Sequence, residues 1–308
     1  MRYLKDMKNT HLQHPEDSIL TGDLSVLDWF LSDGEISTKI DGAPAIVWGT
    51  NPQTGQFFVG TKSVFNKKLI KINESHSDID RNHSGNVADI LHHCFDYLPD
   101  FDGIVQGDFI GFGGDDTFCP NTITYIFDEV IHQNIVIAPH TFYATTGELK
   151  DAFVVSDGDV FPMFDDTESC KFVQPDCWEI DEDFDEIVAF TKQMSYMCEF
   201  LTPKQSQQIQ QQLNSVIRAG LVIDELTLDA LAFANEIDIN VLRLWSLVKS
   251  IKDDLLFMMR NNGPKAYIGR QQCGGEGYVK INKFGMFKLV NREQFSHANF
   301  NKGRFANV

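Results

Sequence analysis

Up to about residue 180 the apolar positions of this chain alternate or run in short blocks; beyond it they recur every three or four residues. The first regime predicts strands. Ala43–Gly49 is a β-branched, aromatic run, and Gln56–Val59 follows it across the turn Asn51–Gly55, so the two read as a hairpin. Ile104–Gly111, Tyr125–Phe127 and Thr141–Ala144 are further strands, with Gly111–Asp116 a loop by composition. Two helices interrupt this part. Asp23 is placed to cap Leu24–Leu31, which Gly34 ends, and Val87, Ile90, Leu91, Cys94 and Leu98 share one face of a helix from about Val87 to Tyr97. The second regime predicts several helices between Phe184 and Arg260. Ile187, Phe190, Met194 and Met197 form one expected core stripe, Leu242, Trp245, Leu247, Val248, Ile251 and Leu255 another, and Ile209 and Leu213 make the Gln-rich 205–212 an ordinary helix. Strand character returns at Gly277–Ile281 and Phe287–Val290.

The expected fold class is therefore α+β with antiparallel sheets. Residues 1–180 open it, 181–264 form an inserted helical subdomain, and 265–308 supply strands that complete the β-rich part. A chain of 308 residues, 43% apolar and 23% charged, can bury a sizeable core. No apolar run reaches the length of a membrane span and no leader pattern opens the chain, so no membrane partner and a cytoplasmic location are expected. Six cysteines without Cys-x-x-Cys spacing read as reduced thiols. His11, His14, His76 and His83 lie in polar contexts that suggest surface or capping roles. His92 and His93, as neighbours on a helix, point in different directions and make poor metal partners.

Candidate chemistry starts at Lys39-Ile40-Asp41-Gly42, a lysine two residues from a carboxylate at the mouth of a strand. A lysine amine becomes a nucleophile when its pKa falls below the free value of about 10.4, through desolvation or neighbouring cations. Thr61 and Lys62 follow the second strand of the hairpin, and Asp108 sits inside an apolar strand, where an unpaired carboxylate is costly. Glu276 and Lys280 share one short strand, and Lys288 lies among apolar residues on the next.

In that order these segments resemble the covalent nucleotidyltransferase superfamily, the ATP-dependent DNA and RNA ligases and mRNA capping enzymes. Lys39-Ile40-Asp41-Gly42 is similar to the nucleotidyl-lysine motif, Gly107-Asp108-Phe109-Ile110 to the third motif, Glu276-Gly277-Tyr278-Val279-Lys280 to the fourth in the form RNA ligases favour, and Lys288 to the fifth. His14-Pro15-Glu16-Asp17 and the run through Gly49 also resemble uncharacterised ligase-like proteins of tailed phages, which would place the protein in a host cytoplasm. The resemblance implies a ligase-type, ATP-grasp-like nucleotidyltransferase domain, with ATP and Mg2+ as cofactors. Lys39 would take AMP, and Asp41 would orient it or contact the nucleotide with Ile40. Thr61 and Lys62 would grip ribose or a 5′-phosphate, Asp108 would contact ribose or metal, and an aromatic such as Phe142 would stack on adenine. Glu276 would act on the metal, and Lys280 or Lys288 would neutralise triphosphate charge at the pocket that Lys39 serves. The acceptor implied is nucleic acid, RNA before DNA.

Three positions depart from the pattern: Pro44 stands where arginine is frequent, Asp108 is one methylene shorter than glutamate, and Lys288 lacks a second lysine two residues away. Only about twenty residues follow Lys288, so no C-terminal OB domain is expected. The net charge of −18 opposes a polyanion. Its distribution is uneven: Lys62, Lys67, Lys68 and Lys71 cluster after the hairpin, and Lys280, Lys283, Lys288, Arg292, Lys302 and Arg304 make the end basic, while acid gathers between Asp157 and Glu186. Three alternatives remain open: a nucleotide-binding or structural protein that does not ligate, a protein adenylyltransferase, which suits the acidic body, and capping-type GMP transfer.

Overall fold

The computed structural model describes residues 12–155, 163–180 and 183–300. His11, Lys302, Arg304 and part of the acidic stretch (156–162 and 181–182) lie outside the described residues. In chain order the elements are α1 (Pro15–Ser18), α2 (Ser25–Phe30), β1 (Glu35–Lys39), β2 (Ala45–Thr50), β3 (Phe57–Gly60), α3 (His76–Asn82), α4 (Asn86–Tyr97), β4 (Ile104–Phe112), β5 (Thr117–Phe118) and β6 (Thr124–Ile126). Then come β7 (Ile135–Ala144), β8 (Phe153–Val154), β9 (Cys170–Phe172), β10 (Cys177–Glu179), α5 (Asp185–Ser195), α6 (Pro203–Arg218), α7 (Glu225–Asn235) and α8 (Ile239–Met258). The chain closes with β11 (Met259–Asn261), β12 (Lys265–Ile268), β13 (Gln271–Cys273), β14 (Gly277–Asn282), β15 (Gly285–Leu289) and α9 (Arg292–Phe300). The mixed α+β class with several antiparallel sheets is as expected.

Two compact units divide these elements. One draws on Lys39–Pro175 and Gly263–Gly275; the other on the stretch up to Thr38, on Asp176–Asn262 and on the stretch from Glu276. In the first unit a sheet of order β3-β2-β4-β7-β8 is antiparallel throughout, with β9 added parallel to β7. Ile46, Val47 and Trp48 are all fully buried, because both faces of this sheet are covered and an unbroken apolar run therefore suits its central strand. Ile46, Trp48, Val105 and Phe109 pack with Ile90, Leu91 and Cys94 of α4. Val47, Phe58, Ile104 and Tyr143 pack on the other side with Val64, Phe65 and Leu149. A second sheet, β13-β12-β6-β5, completes the unit. The strand expected at Thr141–Ala144 is only the second half of β7, whose first half, Ile135–Pro139, is as apolar as a buried parallel strand.

The second unit is built on α8, whose Val241, Leu242, Trp245, Val248, Ile251 and Leu255 are fully buried. The helices from α5 to α8 share that core with Ile19, Leu20, Leu27 and Trp29 before them and with Tyr278, Phe287 and Leu289 after them. Side chains of Thr202, Asp224 and Asp238 cap α6, α7 and α8, and Thr202 forms a full capping box with Gln205. The sheets here are β1-β14-β15 and β10-β11. The stripe expected on α5 is corrected: Ile187, Phe190 and Met197 are exposed, and Val188, Thr191 and Ser195 face inward. Thr191 and Ser195 can be buried because each hydroxyl donates to a carbonyl of its own helix.

His14 is likewise corrected from surface to interior. It sits over a buried ionic cluster in which Lys252 Nζ lies 2.9 Å from Glu16 Oε1, and Arg292 Nη1 lies 3.1 Å from Glu16 Oε1 and 2.8 Å from Asp17 Oδ1. Gly277, which opens β14, has φ 143°, and a Cβ there would stand 2.1 Å from the Leu289 carbonyl oxygen. Gly277→Ala is expected to cost about 2 kcal/mol or more through that clash and backbone strain. A urea midpoint unchanged from the parent would count against the close approach of β14 and β15.

Candidate active site

β2 organises the candidate residues of the first unit. Its first residue, Ala45, is paired with Asp108 on β4 on one side. On the other side Val47 pairs with Gly60 of β3, so the chain turns into Thr61 and Lys62 at the same end of the sheet. The Lys39–Gly42 segment enters β2 at that end and is stitched to β4: Ala43 N donates to Phe109 O at 2.9 Å, and Phe109 N donates to Pro44 O at 3.1 Å. Gly42 is required there, since a Cβ would meet Phe109 O at 2.6 Å and the Asp108 Cβ at 2.9 Å. Lys39-Ile40-Asp41-Gly42, Thr61-Lys62 and Asp108 thus meet at one sheet edge.

Lys39 is half-buried at the end of β1, and Ile40 is buried. Two residues that the sequence did not single out hold Asp41. Its backbone N–H donates to Tyr125 Oη at 2.7 Å, and Asn121 Nδ2 donates to its Oδ2 at 2.9 Å. Both come from the β5–β6 hairpin, of which the sequence marks only the aromatic strand Tyr125–Phe127 and nothing that aims it at Asp41. Asp108 keeps its side chain mostly buried, 3.6 Å from His140 Nε2. His140 occupies a bulge: Gln106 pairs with Thr141 and Gly107 with Pro139, leaving His140 without a partner across the ladder. Its Nε2 also lies 3.3 Å from Gln106 Nε2, and Gln106 Oε1 accepts from Tyr143 Oη at 2.8 Å. A polar network of Gln106, Asp108, His140 and Tyr143 therefore lines one face beside the lysine loop.

Phe142 lies on the other face. It pairs with Val105, and its ring sits between Phe101 at 5.6 Å and Phe164 at 6.1 Å in the aromatic core under α4. The structure does not bring it to the Asp108 side. Thr61 caps the following turn by accepting from Ser63 N, and Lys62 is exposed.

The second unit joins Lys280 and Lys288 on the β14–β15 hairpin, directly after Glu276. Lys280 pairs with Phe287 and Lys288 with Val279, so the two lysines point to opposite faces. Lys280 is buried on the core face, 3.6 Å from Glu179 Oε2 and 5.5 Å from the Trp29 ring centroid. Lys288 is half-buried on the other face, and its N–H donates to Gln13 O.

Among the described residues no group of three or more His, Cys, Asp or Glu side chains is placed to hold a metal. A magnesium ion that arrives with a nucleotide needs less, because phosphates and water fill most of its shell around one or two carboxylates. His92 has gained partners from α3 that its own helix could not supply: His76 Nδ1 at 2.7 Å and Asp80 Oδ1 at 3.0 Å. Among the described residues no helix is long and apolar enough to cross a membrane. The cysteines at 94, 119, 170, 177, 198 and 273 are free.

No curated protein and no solved structure matches the chain. A family profile does, over residues 9–234 and 225–304, and the chain therefore belongs to DUF6267, a family of unknown function.

Proposed function

We propose that this protein is an ATP-dependent nucleotidyltransferase of the polynucleotide-ligase type, with a ligase-type core, acting through a lysyl-AMP at Lys39. The observation that carries the reading is the convergence of three segments remote in sequence, 39–42, 61–62 and 107–110, at the start of β2. Chance motifs have no reason to meet. A nucleophile, a hydroxyl with a cation, and a shielded carboxylate at one sheet edge make a set suited to a nucleoside triphosphate.

In the first step the unprotonated Lys39 amine attacks the α-phosphorus. A P–N bond forms, the bond from the α-phosphorus to the bridging oxygen breaks, and pyrophosphate leaves with the electron pair while the amine proton passes to solvent. Asp41, held by Asn121 and Tyr125, fixes the loop that presents the amine. Positioning of this kind and electrostatic shielding are what phosphoryl transfer chiefly requires. Magnesium would supply charge neutralisation on the phosphates, with the Asp108 carboxylate as its protein contact. In later steps a 5′-phosphate oxygen takes AMP from Lys39, and a 3′-hydroxyl then displaces AMP from the resulting anhydride. RNA rather than DNA as acceptor rests on the similarity of Glu276-Gly277-Tyr278-Val279 to the RNA-ligase form.

Incubation with ATP and Mg2+, followed by intact-mass measurement, is expected to show a gain of one AMP. No gain with ATP or GTP rejects the reading, and a gain with GTP alone turns it to capping-type transfer. If AMP is gained but passes to proteins of a lysate rather than to 5′-phosphorylated RNA or nicked DNA, the acceptor is protein. Asn121→Ala is expected to slow AMP loading about tenfold to a hundredfold, the worth of one hydrogen bond to a charged group, without moving the melting temperature by more than a few degrees. Equal loading rates would detach Asn121 from the chemistry.

A further inference from the structure

We infer that the 61–84 segment of the first unit is the docking surface for the phosphate backbone of a single-stranded polynucleotide, an inference that rests on the ligase-type reading and gives its acceptor a place. The chain carries a net charge of −18, yet this segment sets Lys62, Lys67, Lys68, Lys71 and Arg81 against only Glu74, Asp78 and Asp80. The three acids are engaged. Glu74 accepts from Asn51 Nδ2 and Thr54 Oγ1, Asp78 accepts from Ser75 Oγ and pairs with Arg81 at 2.9 Å, and Asp80 lies 3.0 Å from His92 Nε2. Among the described residues Lys62, Lys67 and Lys68 have no carboxylate at ion-pair distance, and all three are exposed.

Shape supports the same assignment. An open concavity of about 500 Å3 is lined by Lys71, Asp80, Arg81, Asn82, His83 and Ser84. Lys71 Nζ spends one donor on Asn82 O at 2.6 Å and keeps two. Burial and the nearby Lys71 charge push the His83 imidazole below its ordinary value, and its Nε2 is buried without a hydrogen-bond partner. Beside the lysines, Leu69 is 77% and Ile70 42% exposed, apolar surface of the kind that unstacked bases and riboses cover. Lysines without carboxylate partners, an open polar hollow and an exposed apolar tip on one short segment fit an unpaired strand better than a protein partner, whose interface would bring carboxylates to each lysine.

The test uses the full chain and a fluorescein-labelled single-stranded oligoribonucleotide with a 5′-phosphate, titrated by anisotropy across a salt series. Replacing Lys67→Ser, Lys68→Ser and Arg81→Ser together is expected to lower the slope of log K against log salt by about 2, the loss of three phosphate contacts on a single strand. A charge-matched control, Lys192→Ser, Lys204→Ser and Arg243→Ser on α5, α6 and α8, is expected to keep the parent slope. Equal losses in both variants, or a parent that does not bind, overturn the docking surface. AMP loading by intact mass is read in parallel. Loading that persists in the first variant while RNA affinity falls supports both readings. A salt slope lost without any loading in the parent supports the docking surface and rejects the ligase reading, and loading without RNA binding does the reverse.

Discussion

Lys39→Ala is expected to abolish the covalent gain of AMP from ATP, with loss of α-labelled phosphate transfer to background. Lys39→Arg should behave the same way, because a guanidinium stays protonated and cannot attack phosphorus. Both variants should melt near the parent, since Lys39 is half-exposed at a strand end and buries no isolated charge. The neighbouring lysine supplies the control. Lys62 is exposed one residue past Thr61, and Lys62→Ala should load AMP more slowly, through weaker triphosphate binding, yet still reach the covalent gain of one AMP. Labelling that persists in Lys39→Ala moves the nucleophile elsewhere and removes the reason for the Asp41 scaffold. Labelling lost equally from Lys62→Ala would mean that general positive charge, rather than a particular amine, sustains the reaction.

Why the sequence exposes that lysine so plainly while hiding its supports is a matter of pattern length. β2 and β4 carry runs of apolar and β-branched residues buried on both faces, and α4 and α8 carry their stripes over three turns or more, so period alone finds them. The α5 stripe misleads because its largest residues are the exposed ones; the buried side of the helix is made of Val188, Thr191 and Ser195, whose polarity is hidden by intrahelical hydrogen bonds. β6 is legible as the aromatic run Tyr125–Phe127 and the two-residue β5 is not, but neither pattern tells that Tyr125 and Asn121 point at Asp41. His140 is visible only through a register shift, and a bulge leaves no mark in composition. Phe142 reads as an available aromatic strand residue, and only the parity of β7 against β4 sends it to the core face away from Asp108.

The ionic cluster of Glu16, Asp17, Lys252 and Arg292 was the least legible feature, because charged residues in a helix-rich sequence are ordinarily solvated. Its size sets the largest expected stability effect. Lys252 and Glu16 are both fully buried, so Lys252→Met leaves Glu16 and Asp17 to share Arg292 in a medium that cannot solvate the surplus charge. The expected cost is about 3 to 5 kcal/mol, and adding Glu16→Gln should recover much of it by restoring neutrality. Urea unfolding of the two singles and the double closes the cycle; a Lys252→Met cost below about 1 kcal/mol would make the pair no better than a surface bridge.

Acid should expose the same cluster. Burial holds His14 far below its ordinary value of 6.5, to about 2, while the unfolded chain protonates normally. Stability is therefore complete above pH 6.5 and falls as pH drops, by about 1.4 kcal/mol per unit for that one proton. Burial would lift Glu16, but Lys252 and Arg292 outweigh it and hold the carboxyl well below its usual 4.5, so a second proton steepens the loss below that pH. Asp17 acts in the opposite sense, since burial raises it against Arg292 and its folded form retains a proton to higher pH. The interval from pH 6.5 to 4.5 thus belongs to the histidines, His14 first and His83, which burial and the Lys71 charge also push down, beside it. His14→Asn should flatten the urea midpoint across that interval while leaving the steeper fall below it, and an unchanged slope would place the proton uptake on another group.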